Sequence, residues 1–151
     1  MSLRKILFFD CETTGTNSYK HGIWQYAGIM TIDGKEVDRI EIECLPLEGL
    51  EVDPDALKAV GKAPDFLEVE MLQKGELAWH EFRAFLEKYI APRNKRDKAI
   101  LAGYNVKFDE KFLRATWIKM KSNYFGSYFT KPSLDVWQMA MMYLAPDRDW
   151  E

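Results

Sequence analysis

Asp10 and Glu12 stand one residue apart at the end of an apolar run, in Phe8-Phe9-Asp10-Cys11-Glu12-Thr13-Thr14-Gly15 after Lys5-Ile6-Leu7. Side chains in a strand alternate faces, so the two carboxylates share one face and Cys11 turns to the other, toward a core. Two carboxylates on one face repel each other unless a cation lies between them. Oxygen-only donors suit Mg²⁺ or Mn²⁺, and Mg²⁺ is commonly held by one or two carboxylates together with substrate phosphates. The plainer reading of Asp-x-Glu at a strand end is a solvated turn, because short motifs match by chance.

A second segment favours the metal reading. Ala99-Ile100-Leu101-Ala102-Gly103-Tyr104 reads as another apolar strand, and Asn105-Val106-Lys107-Phe108-Asp109 then opens a helical pattern with Asp109 in its first turn. Both acidic groups thus fall at C-terminal strand ends of an α/β domain, the edge where such sheets hold ligands. A haloacid-dehalogenase-like phosphatase also begins with Asp after a strand, but it requires Asp-x-Asp, and here the second acid is Glu12.

On these two motifs the chain resembles the DEDD superfamily of 3′→5′ exonucleases, most closely the DnaQ-like branch of proofreading exonucleases, oligoribonuclease and ribonuclease T relatives. Phe9-Asp10-Cys11-Glu12-Thr13-Thr14-Gly15 looks like the first exonuclease motif and Gly103-Tyr104-Asn105-Val106-Lys107-Phe108-Asp109 like the second. Between them Trp24 to Pro46, with Asp33-Gly34 at its centre, is similar to the family's hairpin, and Val52-Asp53-Pro54-Asp55 to its next helix start. The resemblance implies a ribonuclease H-like mixed sheet flanked by helices. It also implies two-metal hydrolysis at the 3′ end of single-stranded nucleic acid, with DNA the expected substrate. Asp10 would reach both Mg²⁺ or Mn²⁺ ions, Glu12 one ion and the terminal nucleotide, and Asp109 the second ion, the two ions lying about 3.5–4 Å apart. Backbone groups of Thr13, Thr14 and Gly15 would hold the terminal nucleotide, glycine permitting close approach. Asn105 would add a polar contact. Tyr104 and Phe108 could stack on an unpaired base, although core packing is the plainer task for Phe108. A polymerase partner is also implied.

The family's third motif, a histidine or tyrosine with a nearby aspartate, has no counterpart after Asp135. The expectation is therefore a single domain over residues 1–151, incomplete at its C-terminus, whose residues alone show little activity. His21 and His80 both precede the second motif; the first reads as a polar loop residue and the second as part of a helix over 76–91. Asp147 and Asp149 read as a solvated, Pro-containing tail. Two alternatives stay open: a catalytically inactive nucleic-acid-binding or scaffolding module, and an exoribonuclease.

Strands are expected over 5–10, 25–32, 36–45 and 99–104, and Asp33-Gly34 predicts that the second and third are antiparallel. Asp53 followed by Pro54 is an N-cap with proline at the first helical position. Longer helices are expected over 76–91, 108–120 and 133–144. With 47% hydrophobic and 14% aromatic residues among 151, the chain can fill one sizeable core. A net charge of −3 gives no global basic field, which leaves local phosphate contacts open. The absence of a membrane-spanning run or signal peptide predicts a cytoplasmic protein with no membrane partner, and Cys11 and Cys44 read as reduced core thiols. Arg93, Lys95, Arg96 and Lys98 precede the fourth strand and read as a solvated loop. Lys107, Lys111, Arg114, Lys119 and Lys121 lie on or near the helix of Asp109 and fit phosphate contact and solubility equally. Asp135 reads as a favourable charge at a helix N-terminus.

Overall fold

An apolar alternation interrupted by Asp33-Gly34 builds the first half of the sheet. The computed structural model describes residues 3–69, 71–122 and 124–144. In it β1 (Lys5–Thr13), β2 (Ile23–Ile32) and β3 (Lys35–Glu43) form an antiparallel meander. Asp33 and Gly34 both take positive φ, 51° and 82°, as the expected two-residue hairpin turn requires. Three helices follow, α1 (Pro54–Ala59), α2 (Phe66–Val69) and α3 (Gly75–Glu87). Then come β4 (Ala99–Gly103), α4 (Val106–Lys119), β5 (Leu134–Asp135) and α5 (Val136–Leu144). The sheet order is β3-β2-β1-β4-β5, with β4 parallel to both β1 and β5, so the sheet is mixed.

One face of the sheet receives α3 and α4. Leu7, Phe9 and Cys11 of β1, Tyr26 and Met30 of β2 and Leu101 of β4 meet Trp79, Phe82 and Leu86 of α3 and Phe112, Leu113 and Trp117 of α4. Each large apolar side chain so buried contributes about 1.5–3 kcal/mol. The ring of Phe82 lies 5.3 Å from Phe9 and 5.1 Å from Tyr26, which locks α3 across the first two strands. A smaller cluster of Trp24, Leu57, Phe66 and Leu67 holds α1 and α2. Asp53 caps α1 as expected, its carboxylate accepting the Asp55 N–H at 3.0 Å.

Most boundaries shift by one to three residues from the sequence expectation, β1 running on to Thr13 and α4 beginning at Val106, and three differences have a structural cause. Residues 133–144 do not form one helix, since Leu134 and Asp135 pair with Ala102 and Gly103 and the helix begins at Val136. A two-residue strand is too short to show an alternating pattern. The third strand ends at Glu43, and Cys44 leaves it to bridge Gln73. α3 stops at Glu87 because the chain tightens there, with Tyr89 N–H on Leu86 O. On the opposite face of the sheet, Phe8, Ala27, Ile29, Tyr104 and Val136 line an open apolar groove of about 370 Å³ that runs up to Asp10.

Candidate active site

The strand alternation expected for β1 holds: Leu7, Phe9 and Cys11 are buried under the helices while Asp10 faces out, with Glu12 partly exposed. β4 pairs with β1 only from Lys5–Ala99 to Phe8–Ala102, so beyond Phe8 that edge of β1 is open, while its other edge stays paired with β2 to Thr13. β4 ends at Gly103, where an ideal Cβ would lie 2.6 Å from Phe9 O; glycine is what allows the two backbones to approach so closely. Asn105 then takes a left-handed conformation, φ 53° and ψ 46°, which turns the chain into α4. The first turn of α4 carries Asp109 to the open edge of β1. There Asp109 Oδ1 accepts the Cys11 N–H and the Cys11 thiol, each at 3.1 Å. A carboxylate thereby takes up a backbone donor that β4 stops too early to pair.

Burial lifts the carboxyls of Asp10, Glu12 and Asp109 above their ordinary values. The charges of Asp10 and Asp109 push Glu12 higher still, and Asp10 does the same to Asp109, against the lowering hydrogen bonds from Cys11. Burial, followed by the charge of Asp109, also pushes the Cys11 thiol well up. Three carboxylates thus share one corner of the sheet, and the charges of Asp10 and Asp109 disfavour ionisation of a neighbouring acid there. Among the described residues no group of three His, Cys, Asp or Glu side chains is arranged as a ready metal cage. The donor set nevertheless suits a hard divalent ion, being all oxygen and mutually repelled in the absence of a cation.

The turn after β1 is held from within. Thr14 is fully buried, its N–H on Gly22 O at 2.8 Å, its carbonyl accepting Asp53 N–H at 2.7 Å, and its hydroxyl donating to Glu51 O at 2.7 Å. Thr13 Oγ1 donates to Gly15 O at 2.7 Å. A Cβ on Gly15 would lie 2.2 Å from His21 Nδ1, so the imidazole packs directly on the glycine, and that nitrogen accepts the Asn17 N–H. His21 is therefore the loop residue expected, and it clamps the turn. His80 is exposed on α3, its ring against Trp79.

Around the second motif, Asn105 is exposed and Phe108 is half-buried, its ring 5.0 Å from Phe112 and under Lys111. Tyr104 is 69% exposed at the lip of the groove, with Trp137 edge-on at 6.4 Å. Asp135 accepts the Trp137 N–H at 3.0 Å, the expected role at a helix start, and also the Asn105 N–H at 3.2 Å. That second bond ties α5 to the entrance of α4, and no spacing in the sequence announces it. On α4, Lys107 and Arg114 pair with Glu110, Lys111 covers Phe108, and Lys119 donates to Ser18 O at 2.8 Å. Lys95, Arg96 and Lys98 line a shallow basic concavity with Arg4 at the far end of β1, and Asp147 and Asp149 lie outside the described residues.

The chain matches the family described as exonuclease, RNase_T, over residues 7–148. The chain belongs to the exonuclease family. Among solved structures, this exonuclease domain is similar to a product-bound exonuclease I, with 20% identity and a TM-score of 0.70, over 99% of this chain and 34% of that one. Exonuclease I from Methylocaldum szegediense is 21% identical with a TM-score of 0.68, over 98% of this chain and 32% of that one. A zinc-bound form of E. coli exonuclease I with single-stranded DNA gives 21% and 0.69, over 95% and 31%. The chain spans about a third of the length of these proteins, and at such identities the likeness establishes the fold. The exonuclease domain is thus DnaQ-like and DEDD-type, with the ribonuclease H-like mixed sheet the two motifs implied. No helix among its described residues is long and apolar enough to cross a membrane.

Proposed function

We propose that this domain hydrolyses phosphodiester bonds at the 3′ end of single-stranded nucleic acid, DNA foremost, with Mg²⁺ or Mn²⁺ held by Asp10, Glu12 and Asp109. The observation that carries the reading is the gathering of three carboxylates from β1 and α4 at one open strand edge, where burial raises all three and neighbouring carboxylate charge adds to it at Glu12 and Asp109. Divalent ions there would neutralise charge on the attacking and leaving oxygens. Asp10 faces the groove, so it can meet an ion arriving with a phosphate. Thr14 has its backbone groups and hydroxyl engaged inside the protein, so the nucleotide contacts of the turn fall to Thr13 and Gly15. Asn105 and the faces of Tyr104 and Phe108 border the second motif, and aromatic faces stack on bases without regard to sequence. The buried free thiols Cys11 and Cys44 fit a reducing compartment such as the cytoplasm. A polymerase partner rests on family likeness alone.

The test is a 5′-labelled single-stranded oligonucleotide incubated with the protein and Mg²⁺. A ladder shortening from the 3′ end, weak for residues 1–151 alone and abolished by chelation and by Asp10→Ala, is the expected result. Shortening from the 5′ end, or cleavage indifferent to Asp10→Ala, overturns the proposal. Binding without cleavage would instead support the inactive binding module, and parallel RNA and DNA strands decide the substrate.

A further inference from the structure

We infer that the Cys11 side chain is a positioning residue for the metal site: together with its own backbone N–H it fixes Oδ1 of Asp109 and so presents the other carboxylate oxygen to the cation. The inference rests on the metal assignment proposed above. Asp109 reaches the site from a different element than Asp10 and Glu12, so its carboxylate needs an anchor on β1. A single donor would fix the position of one oxygen while leaving the carboxylate plane free to turn about that contact. Two donors converging on Oδ1 at 3.1 Å, one from the backbone and one from the side chain, remove that freedom. A thiol is a weak donor, but a charged acceptor in a buried setting strengthens the bond. Both groups are buried, with Cys11 7% and Asp109 3% exposed, so bulk water competes little for the contact.

Cys44 supplies an internal comparison. Among the described residues its sulfur donates to the Ile23 carbonyl, at 3.7 Å, and to no carboxylate. Of the two buried cysteines, Cys11 alone donates to a candidate ligand, and it does so because strand alternation aims its side chain at the face where α4 packs. Alanine at this position would keep the backbone donor and remove the second one. Serine would keep both.

Calorimetric titration of Mn²⁺ into wild type, Cys11→Ala, Cys11→Ser and Asp10→Ala tests the inference. Cys11→Ala should weaken Mn²⁺ binding about three- to tenfold, and Cys11→Ser should remain within about twofold of wild type, the range one hydrogen bond spans. Equal weakening by alanine and serine would assign Cys11 to packing and overturn the inference. So would Cys11→Ala binding like wild type while Asp10→Ala loses affinity, an outcome that leaves the metal site standing. Asp10→Ala binding like wild type would instead bring down the metal assignment itself. Should Cys11→Ala fail to fold, infrared spectroscopy of the S–H stretch decides, with Cys44→Ala isolating the Cys11 band. That band should move to higher frequency in Asp109→Asn, and an unmoved band overturns the inference.

Discussion

Replacing Gly103 by alanine probes the joint on which the site geometry depends. The new Cβ would stand 2.6 Å from Phe9 O, about 0.8 Å short of the 3.4 Å at which ordinary contact begins, and the obstacle is backbone, which cannot swing aside. Either β4 retreats from β1, weakening the Phe8–Ala102 end of their pairing, or the Phe9 carbonyl turns, one residue before Asp10 and two before Cys11. Overpacking of this kind costs about 1–3 kcal/mol. At roughly 2–4 °C per kcal/mol for a domain of this size, the unfolding temperature should fall by about 2–12 °C. Mn²⁺ affinity should fall with it, because the first escape carries α4 and Asp109 away from β1 and the second disturbs the backbone next to the Cys11 N–H that anchors Asp109. Gly34→Ala is the comparison: it meets no atom within 4 Å and is disfavoured only by its φ of 82°, so it should lower stability and leave Mn²⁺ affinity unchanged. Circular dichroism melts and calorimetry read both quantities. A Gly103→Ala protein melting within about 1 °C of wild type and binding Mn²⁺ equally would refute the reasoning.

Two further outcomes follow from the charges. The carboxyls of Asp10, Glu12 and Asp109 are raised, so without metal their ionisation costs stability as pH rises through the folded values. Asp10→Asn should therefore raise the unfolding temperature of metal-free protein at pH 7, with the gain shrinking toward pH about 4, and a lower temperature in chelator would count against the shared charge cluster. Asp97 behaves oppositely. Partial burial raises its carboxyl, but hydrogen bonds from Lys5 and the Ala91 N–H prevail and hold it below the ordinary value. Its contribution is present above the unfolded value and lost as pH falls through the folded one, so Asp97→Asn should cost about 1–2 kcal/mol at pH 7 and little near pH 3. Urea melts of both proteins at the two pH values check this, and a pH-independent difference would remove the ion pair from the explanation.

What the sequence revealed depended on periodicity. Asp10-Cys11-Glu12 could be assigned to faces because a strand alternates, and Asp33-Gly34 could be read as a turn because two consecutive positive φ values favour such residues. Asp109 could be placed in a first helical turn for the same kind of reason. What stayed hidden was relational. That β4 ends before Cys11, that Gly103 must be glycine to clear Phe9, and that Asp135 reaches Asn105 as well as its own helix all depend on contacts between distant segments. β5 escaped because two residues have no period. The part Thr14 plays in holding its turn was hidden too, because its hydroxyl is engaged by Glu51 and Gly22, contacts invisible to local pattern.

The central claim is that Asp10 belongs to a divalent-metal site shared with Glu12 and Asp109. Calorimetric titration of Mn²⁺ into wild type and Asp10→Ala tests it most directly, with each protein first shown to be folded in chelator. The account predicts saturable binding to wild type and at least a tenfold loss in the variant, about 1.4 kcal/mol, in a protein that melts no lower than wild type without metal. Equal affinity in two folded proteins would contradict it.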